Sequence, residues 1–458
     1  MEKIITETAN NFKYNCLEFF NEGKKSITEI ESFIKDQIEN ISLAMTAAYY
    51  EELDQEILED KKGRKKLGLI VERKGEERNV LTQIGMLSYR RTYYEKTGTD
   101  DVAYTYPVDK IAGITPYQRI STNVCADLIS NAAHESYEKS SVHVTNGYVS
   151  KQTVMNKIRE TSDLDLVKPE RKRIVDVLHI DADEDHVSLQ NGKNTIVPLI
   201  SVYEGINKAG KRGSCKNIFH ISRIKATPEE LWEETLERIE EIYDISNTTI
   251  YLHGDGAPWI KEGLEWLPNC KYCLDKYHIN KNYKKIVAGF NRNEKVSYLK
   301  RIKQSLANND KEEFKEIIEE MLNTHSDLKA SIIEAGKYLW NNFDAISIYK
   351  YDTEASNGGA TEPHVSHILS SRLSSRPMGW SLQTLEKLVP ILATGRFSFS
   401  SLTNQKAIQK SSNSPRKTTR KKNYTKNSLG VADPDISISM ACARKNSSTF
   451  NMIKHYFE

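Results

Sequence analysis

The spacing of hydrophobic side chains divides the chain into segments with different predicted secondary structure. Over residues 1–60, apolar residues recur every three or four positions, which is the period of helices that pack through one face. Over residues 66–95, apolar and polar residues alternate and glycines interrupt the run, which predicts a small β-meander. Residues 116–161 return to the helical period. We therefore predict an N-terminal helical region (1–60) followed by a separate α+β region (61–165).

The end of the α+β region has the pattern of a helix-turn-helix. Residues 137–145 form the first predicted helix, Asn146 and Gly147 form the turn, and Ser150 caps the second helix. Glycine suits such a turn because it adopts a positive φ at little cost. The second helix projects polar side chains that could contact bases or phosphates: Lys151, Gln152, Asn156 and Lys157. An ordinary helical hairpin has the same pattern, so both interpretations stay open.

From residue 173 onward the pattern becomes α/β. Three β-type runs come first, the first two joined by the hairpin signal Asn191-Gly192, and strands then alternate with helices. The resulting order, β-β-β-α-β-α-β-α, is that of an RNase H-like core with a mixed five-stranded sheet. In that fold the first and fourth strands lie side by side. We assign residues 170–281 to the first part of this core.

Carboxylates mark the two strands that this order would make neighbours. The fourth strand ends at Asp255, between two glycines, and the first strand contains "HIDADEDH". The two-residue period of a strand places Asp181, Asp183 and Asp185 on one face. Acids that share a face are costly in a core unless cations neutralise them, and Mg²⁺ prefers oxygen ligands. The pattern therefore favours a metal site that acts on phosphodiesters, with a solvated acidic strand end as the alternative.

A third carboxylate is expected from later in the chain. Residues 282–350 are charged and helical, and we interpret them as an all-helical insertion into the core. The chain then returns to the core over residues 351–400, where a helix begins near Glu362. Glu362 and Glu354 are both candidates for the third acid. Two arginines farther along this helix could hold phosphates, Arg372 and Arg376.

Composition narrows the class of protein without identifying it. The formal net charge is +2, and hydrophobic residues make up 38% of the chain, as in a globular protein. No apolar run reaches the roughly 20 residues of a membrane span, and the N-terminus lacks a signal-peptide pattern. The six cysteines follow no disulfide framework, which favours the cytoplasm. The basic C-terminal segment (401–458) includes a run suited to phosphates: Arg416, Lys417, Arg420, Lys421 and Lys422.

Four ordered motifs carry a resemblance that spans nearly the whole chain. They are "DADEDHV", "LHGDGAPWI", "CLDKYHI" and "EPHVSHILSSRLSSRPMGWS". Together they resemble the bacterial insertion-sequence transposases of the ISLre group, which are relatives of the mutator-like transposases. The resemblance implies an RNase H-like core with a DDE triad at Asp183, Asp255 and Glu362, and Asp181 is the rival for the first position. It also implies an accessory role for two further residues, Asp275 and His278.

The resemblance further implies the activity of a DNA transposase. Such an enzyme binds the inverted-repeat ends of its element, hydrolyses a phosphodiester with two Mg²⁺ ions (Mn²⁺ can substitute), and joins the new 3′-hydroxyl to target DNA. The expected partners are DNA and, on DNA, further copies of the chain, at the bacterial nucleoid and without a membrane. Two alternatives stay open: a metal-dependent nuclease without strand transfer, and a domesticated copy that only binds DNA.

Overall fold

The computed structural model describes residues 2–97, 103–161, 169–209 and 212–395. These residues fall into two units, and the division lies between Lys157 and Ile158. Both units combine helices with strands, so the chain is a mixed α/β protein. The predicted basic run lies outside the described residues. It consists of Arg416, Lys417, Arg420, Lys421 and Lys422.

The first unit begins with helices, as the apolar period predicted. They are α1 (Glu2–Asn21), α2 (Ile27–Glu59) and α3 (Lys61–Lys66). Ser26 caps α2, since its side chain accepts a hydrogen bond from the N–H of Glu29, whose carboxylate accepts the N–H of Ser26 at 2.7 Å. This reciprocal capping box separates α2 from α1. The rings of Phe19 and Phe33 stack with centroids 4.0 Å apart and join the two helices.

The predicted β-meander is confirmed as a three-stranded antiparallel sheet. Its strands are, in order, β1 (Leu69–Thr82), β2 (Gly85–Lys96) and β3 (Ala103–Thr105). The pairing of β1 with β2 shifts register around Gly75, whose φ is 68°. Glycine takes this left-handed conformation without strain, so β1 bends there and continues. The short helix α4 (Pro107–Ile111) supplies the buried Asp109, which pairs with Arg91 of β2.

The helices and turn of the predicted helix-turn-helix are confirmed. Three helices follow α4: α5 (Thr122–His134), α6 (Tyr137–Thr145) and α7 (Lys151–Arg159). Between α6 and α7 the chain turns through Asn146 and Gly147, with φ values of 51° and 79°. Ser150 accepts a hydrogen bond from the N–H of Thr153 at 3.2 Å and so caps α7. The apolar face of α7 is fully buried at two positions, Val154 and Ile158.

A mixed sheet forms the centre of the second unit. Its strands and short pairs are, in chain order, β4 (Arg173–Ile174), β5 (Val177–Ser188), β6 (Asn194–Tyr203), β7 (Ile206–Ala209), β8 (Arg212–Cys215), β9 (Phe219–Ile221), β10 (Tyr243–Asp244), β11 (Thr249–Gly254) and β12 (Cys270–Leu274). Five of them form one sheet in the order β12-β11-β5-β6-β9. β11 runs parallel to β5 and β12, whereas β6 runs antiparallel to β5 and β9. The first and fourth predicted core strands, β5 and β11, are therefore neighbours, as expected.

Helices connect the strands and cover the sheet. They are α8 (Pro228–Ile242), α9 (Pro258–Lys261) and α10 (Gly263–Trp266). Trp232 and Ile239 of α8 share one buried core with Leu178 of β5 and Ile250 of β11. This packing fixes the central strands against α8 because apolar area is removed from water on both sides.

A helical layer follows β12. Its helices are α11 (Lys276–Ile286), α12 (Arg292–Ala307), α13 (Lys311–Thr324), α14 (Lys329–Asn341) and α15 (Phe343–Tyr351). They bury a core of their own around Phe314, Ile318 and Leu339. The chain returns through α16 (Thr361–Val365), a π-helical turn (Ser366–Ser370), α17 (Ser371–Leu373) and α18 (Leu382–Thr394). Residues 282–350 are thus predominantly helical, as predicted.

Two features of the second unit differ from the sequence prediction. The β7–β8 hairpin lies between β6 and β9, in a stretch for which the sequence analysis predicted no strand. The segment "PWIKEGLEWL" (258–267) predicts one helix, but the structure splits it into α9 and α10, and a Cβ at Gly263 would lie 2.7 Å from the ring of Trp232. Glycine allows this close approach but weakens a continuous helix. Within the described ranges, no helix is both long and apolar enough to cross a bilayer.

Candidate active site

The register of the central strands brings two of the predicted acids together. Asp181 of β5 pairs with His253 of the parallel strand β11. Asp183 and Asp255 each lie two residues farther along. A Cβ at Gly254 would lie 3.1 Å from the carbonyl oxygen of Ala182, so the two acids follow directly on adjacent stretches of chain. Asp255 directly follows β11, where the chain turns through Gly256 with a φ of 98°. Asp183 is buried and Asp255 is half-buried.

The charges of neighbouring acids act on Asp183. Burial raises the pKa of its carboxyl to about 6, and the carboxylates of Asp255 and Glu362 contribute in the same direction. The N–H of Glu184 and the charge of His278 oppose this shift. Like charges disfavour each other's ionisation only when they are close. Asp183, Asp255 and Glu362 therefore form one group, which we name the acidic cluster.

Glu362 reaches the acidic cluster from a different element. It lies in the first turn of α16 and is exposed. Its rival, Glu354, lies in a short 3₁₀ turn and accepts a hydrogen bond from Asn357 at 2.9 Å. Glu354 lies near Tyr251 instead, whose pKa is raised mainly by burial and by Asp352, with a smaller contribution from the charge of Glu354. Of the two candidates, Glu362 is the one that lies near the aspartates.

Asp275 and His278 form a pair at the edge of the acidic cluster. The buried Asp275 caps α11, because its Oδ2 accepts the N–H of Tyr277 at 2.9 Å. The same oxygen lies 3.3 Å from Nδ1 of His278. This contact raises the pKa of His278, burial opposes it, and the charges of Asp255 and Asp183 raise it further. The cluster thus favours a protonated imidazole beside it.

Asp181 is engaged in a separate network. Its buried carboxylate accepts hydrogen bonds from the hydroxyl of Tyr203 at 3.1 Å and from the N–H of Ala360 at 2.9 Å. It also lies 3.1 Å from Nδ1 of His364. Burial raises the pKa of Asp181, but His364 and the N–H of Ala360 outweigh burial and lower it. These contacts tie β5 to the start of α16, so Asp181 positions the segment that carries Glu362.

Two buried histidines next to Asp181 were not singled out by the sequence. Nδ1 of His179 lies 3.3 Å from Nε2 of His253, and burial lowers the pKa of His179 to about 4. A Cβ at Gly358 would collide with both rings. The segment before α16 therefore needs glycine there to lie across the strands. The only sequence signal for this packing was a histidine on each of the two central strands.

The helical insertion also contributes two residues that the sequence did not single out. The hydroxyl of Tyr338 donates a hydrogen bond to the backbone carbonyl of Asp255. Burial, together with the charges of Asp255 and neighbouring acids, raises the pKa of Tyr338. Asn342 lies against Gly256, where a Cβ would be 3.0 Å from its Oδ1. Polar residues four positions apart on an otherwise apolar stripe were the available signal.

The residues predicted to contact DNA lie in both units. Three of those on α7 are exposed: Lys151, Gln152 and Asn156. Lys157 is partly buried. In the second unit, the guanidinium of Arg372 lies 4.7 Å from the ring centroid of Trp380, which holds it in place. Arg376 is exposed near the end of the helical segment that begins with α16.

The donors of the acidic cluster fit a hard divalent cation. Oδ1 of Asp183 accepts the N–H of Glu184 at 2.8 Å, and Oδ1 of Asp255 accepts the N–H of Ala257 at 2.8 Å. The second oxygen of each aspartate has no hydrogen-bond partner among the described residues. No three metal-ligating side chains in the described ranges are close enough to share one ion. This open set suits Mg²⁺, which usually takes one or two carboxylates and completes its shell with water and phosphate.

Fold and site together define a class of protein. The chain is a mixed α/β protein in which carboxylates from three separate segments gather at the end of the central strands. The model of the Uncharacterised protein family (UPF0236) matches residues 21–404. The chain belongs to this family.

Relatives of the chain occur in Caldanaerobacter subterraneus subsp. tengcongensis. Two of its UPF0236 proteins are 36% identical over 398 residues, which cover 85% of this chain and 83% and 78% of the relatives. A third is 37% identical over 397 residues, covering 85% of this chain and 83% of the relative. The name of each relative combines several locus designations: four for the first, two for the second and eleven for the third. One bacterium thus carries many members of the family.

Proposed function

We propose that this protein is a DNA transposase of an insertion sequence, with a DDE triad formed by Asp183, Asp255 and Glu362. The observation that carries the proposal is the register that sets Asp183 of β5 beside the end of β11, which leads into Asp255; burial raises the pKa of Asp183, and the charges of Asp255 and Glu362 add to this. Acids are brought together at this cost where a cation is to be bound. The strand order β12-β11-β5-β6-β9, with β6 antiparallel to β5, supports an RNase H-like core around the triad.

The number of family members in one bacterium supports the same proposal. One name alone joins eleven loci of Caldanaerobacter subterraneus. Single-copy metabolic enzymes do not multiply in this way within one genome, whereas an element that encodes its own transposition does. The resemblance of four ordered motifs to insertion-sequence transposases points in the same direction.

Each residue of the site has a proposed role. Asp183 and Asp255 present one unpartnered oxygen each, and the exposed Glu362 closes the ligand set when DNA is bound. Mg²⁺ bound there would neutralise the carboxylates and stabilise charge on the attacking and leaving oxygens of the phosphodiester. His278, held by Asp275, donates a hydrogen bond to a phosphate oxygen. Tyr338 fixes the backbone of Asp255.

Substitution of Asp255 tests the chemistry separately from DNA binding. We expect Asp255→Asn to lower cleavage of end-containing DNA by more than the roughly 10–100-fold typical of an outer-shell partner, because it removes ligand charge. Binding of the same DNA should persist, since the shape hardly changes. Asp185→Asn is the matched control: Asp185 lies on the same strand, where it accepts a hydrogen bond from Ser374 at 2.8 Å. It should retain cleavage.

Two further measurements complete this test. Mn²⁺ should raise the melting temperature of the wild-type protein and of Asp185→Asn more than that of Asp255→Asn. Pre-cleaved ends incubated with a target plasmid should yield joined products. Cleavage without joining would instead identify a nuclease, and full activity of Asp255→Asn would exclude the proposed triad.

A further inference from the structure

The exposed face of α11 presents an aromatic ring and lysines in one line. Ile279 and Ile286 are buried and hold the inner face of the helix. On the outer face, Tyr277 is 52% exposed, although its ring is large and apolar. Lys281 and Lys284 lie on the same face as Tyr277, because positions three and four apart are neighbours on a helix. Both lysines are also exposed.

This face is positively charged, and no acidic side chain in the described part of the chain pairs with its two outer lysines. α11 contains four lysines and no Asp or Glu. Lys281 and Lys284 form no ion pair with any residue in the described ranges. Lys303 of α12 reaches the same helix, with its Nζ 5.2 Å from the ring centroid of Tyr283. A basic surface of this kind attracts a polyanion.

The line begins beside the acidic cluster. The ring of Tyr277 packs edge-to-face on the ring of His278, with centroids 5.2 Å apart. The N–H of Asp275, which caps the start of α11, donates to the carbonyl of Gly254 at 2.8 Å, and Gly254 directly precedes Asp255. A nucleotide next to a phosphate held at the acidic cluster therefore comes near Tyr277.

We propose that Tyr277, Lys281 and Lys284 form a track for single-stranded DNA next to the scissile phosphate. The base adjoining that phosphate stacks on Tyr277, and the following phosphates lie along Lys281 and Lys284. Proteins that bind single strands combine such rings with cationic grooves, because every base has a face to stack. In a duplex these faces are covered by neighbouring base pairs. The track rests on the proposed function. It adds that the DNA next to the scissile phosphate is single-stranded.

Binding to DNA with and without an overhang tests the track. The full chain carrying Asp255→Asn serves as the parent, so that no cleavage occurs during the measurement. Two probes are used, an end duplex with a single-stranded extension and the same duplex with a blunt end. We expect Tyr277→Ala to weaken binding of the extended probe by roughly tenfold and to leave the blunt probe unchanged. Tyr277→Phe, which keeps the ring, should bind as the parent does.

The lysines are tested by salt dependence. Replacing Lys281 and Lys284 with Gln should reduce the slope of log affinity against log salt by about 0.7 for each phosphate that the variant no longer neutralises. The charge-matched control replaces Lys172 and Lys193, which are exposed in the same unit and lie outside α11. It should leave the slope for the extension unchanged.

The outcomes separate the track from the catalytic proposal. The track is overturned if Tyr277→Ala binds the extended probe as tightly as its parent does. It is also overturned if the substitution weakens binding of the extended and the blunt probe by the same factor. Removing the base opposite Tyr277 with an abasic site should abolish the effect of Tyr277→Ala. If the wild-type protein never cleaves but Tyr277→Ala still weakens binding of the extension, the track stands and the transposase proposal fails. Circular dichroism melting checks that each variant is folded.

Discussion

At the scale of single residues, Asp181 and Asp183 show how environment separates two identical side chains. Both lie on one face of β5 and both are buried. Asp181 accepts hydrogen bonds from Tyr203 and Ala360 and pairs with His364, so its pKa is lowered. Among the described residues Asp183 accepts a hydrogen bond only from the N–H of the next residue, and burial, with the like charges of Asp255 and Glu362, raises its pKa to about 6. The carboxylate with less compensation is the one to which the proposed function assigns a cation.

The raised pKa of Asp183 predicts a specific pH dependence of stability without metal. The folded protein holds this proton up to about pH 6, whereas the ordinary value is 3.8. The contribution of Asp183 to stability is therefore full below about pH 4 and is lost as the pH rises through about 6. Asp183→Asn removes this loss, so at pH 7 its free energy of unfolding should exceed that of wild type by on the order of 2–3 kcal/mol.

Urea denaturation in EDTA at several pH values between 4 and 7 measures this effect. The difference between Asp183→Asn and wild type should grow with pH. Saturating Mn²⁺ should reverse the order, because the wild-type carboxylate then has a partner. A difference that stays constant over this range contradicts the raised pKa.

At the scale of elements, the position of α16 depends on contacts made by the segment before it. The N–H of Gly359 donates to the hydroxyl of Tyr203 at 3.0 Å, and the N–H of Ala360 donates to Asp181. Gly358 allows the chain to approach His179 and His253. Because Glu362 follows directly, this docking decides where the third acid of the cluster lies.

The pairing of Asp181 with His364 is predicted to hold this docking. The pair is 3.1 Å apart, and although burial lowers the pKa of His364, Asp181 and Cys215 raise it to about 9. Asp181→Ala leaves the imidazole without its partner and should cost roughly 3–5 kcal/mol of stability, measured by chemical denaturation. A double variant with His364→Gln should lose less than the sum of the two single losses. Additive losses would show that the two side chains act independently.

At the scale of the whole molecule, the proposed DNA contacts are divided between helix α7 and a basic segment outside the described residues. The net charge of +2 hides this division, because the run from Arg416 to Lys422 is basic and the rest of the chain is nearly balanced. Base-edge contacts discriminate sequences, whereas phosphate contacts set affinity and its salt dependence. Specificity and affinity should therefore respond to different substitutions.

Gel shifts with end and random duplexes across a salt series separate these roles. Gln152→Ala or Asn156→Ala should weaken binding to the element's ends more than binding to random duplex, by about 1–3 kcal/mol for each base edge that is no longer bound. The basic run consists of Arg416, Lys417, Arg420, Lys421 and Lys422. Neutralising it should weaken binding to end and random duplexes equally. It should also reduce the slope of log affinity against log salt by ~0.9 for each phosphate that is no longer contacted. A change of specificity from the basic run alone would favour a plain helical hairpin over the helix-turn-helix.

Local patterns were enough to predict much of this protein. The helix-turn-helix from Tyr137 to Arg159 follows from helical period, a glycine turn and a serine cap, all of which act within a few residues. The order of strands and helices predicted that β5 and β11 are neighbours, which the strand pairing confirms. Short-range preferences and strand order are recorded directly in a sequence.

Only the tertiary structure decided which of several similar acids belong together. Asp181 and Asp183 share a strand face, and Glu354 and Glu362 lie in neighbouring turns, so no local pattern separates the members of either pair. The difference arises from partners that are distant in the sequence, such as His364 for Asp181 and Tyr338 for the backbone of Asp255. The energy of a buried carboxylate depends on the groups that surround it in space, and only the folded chain brings those groups together.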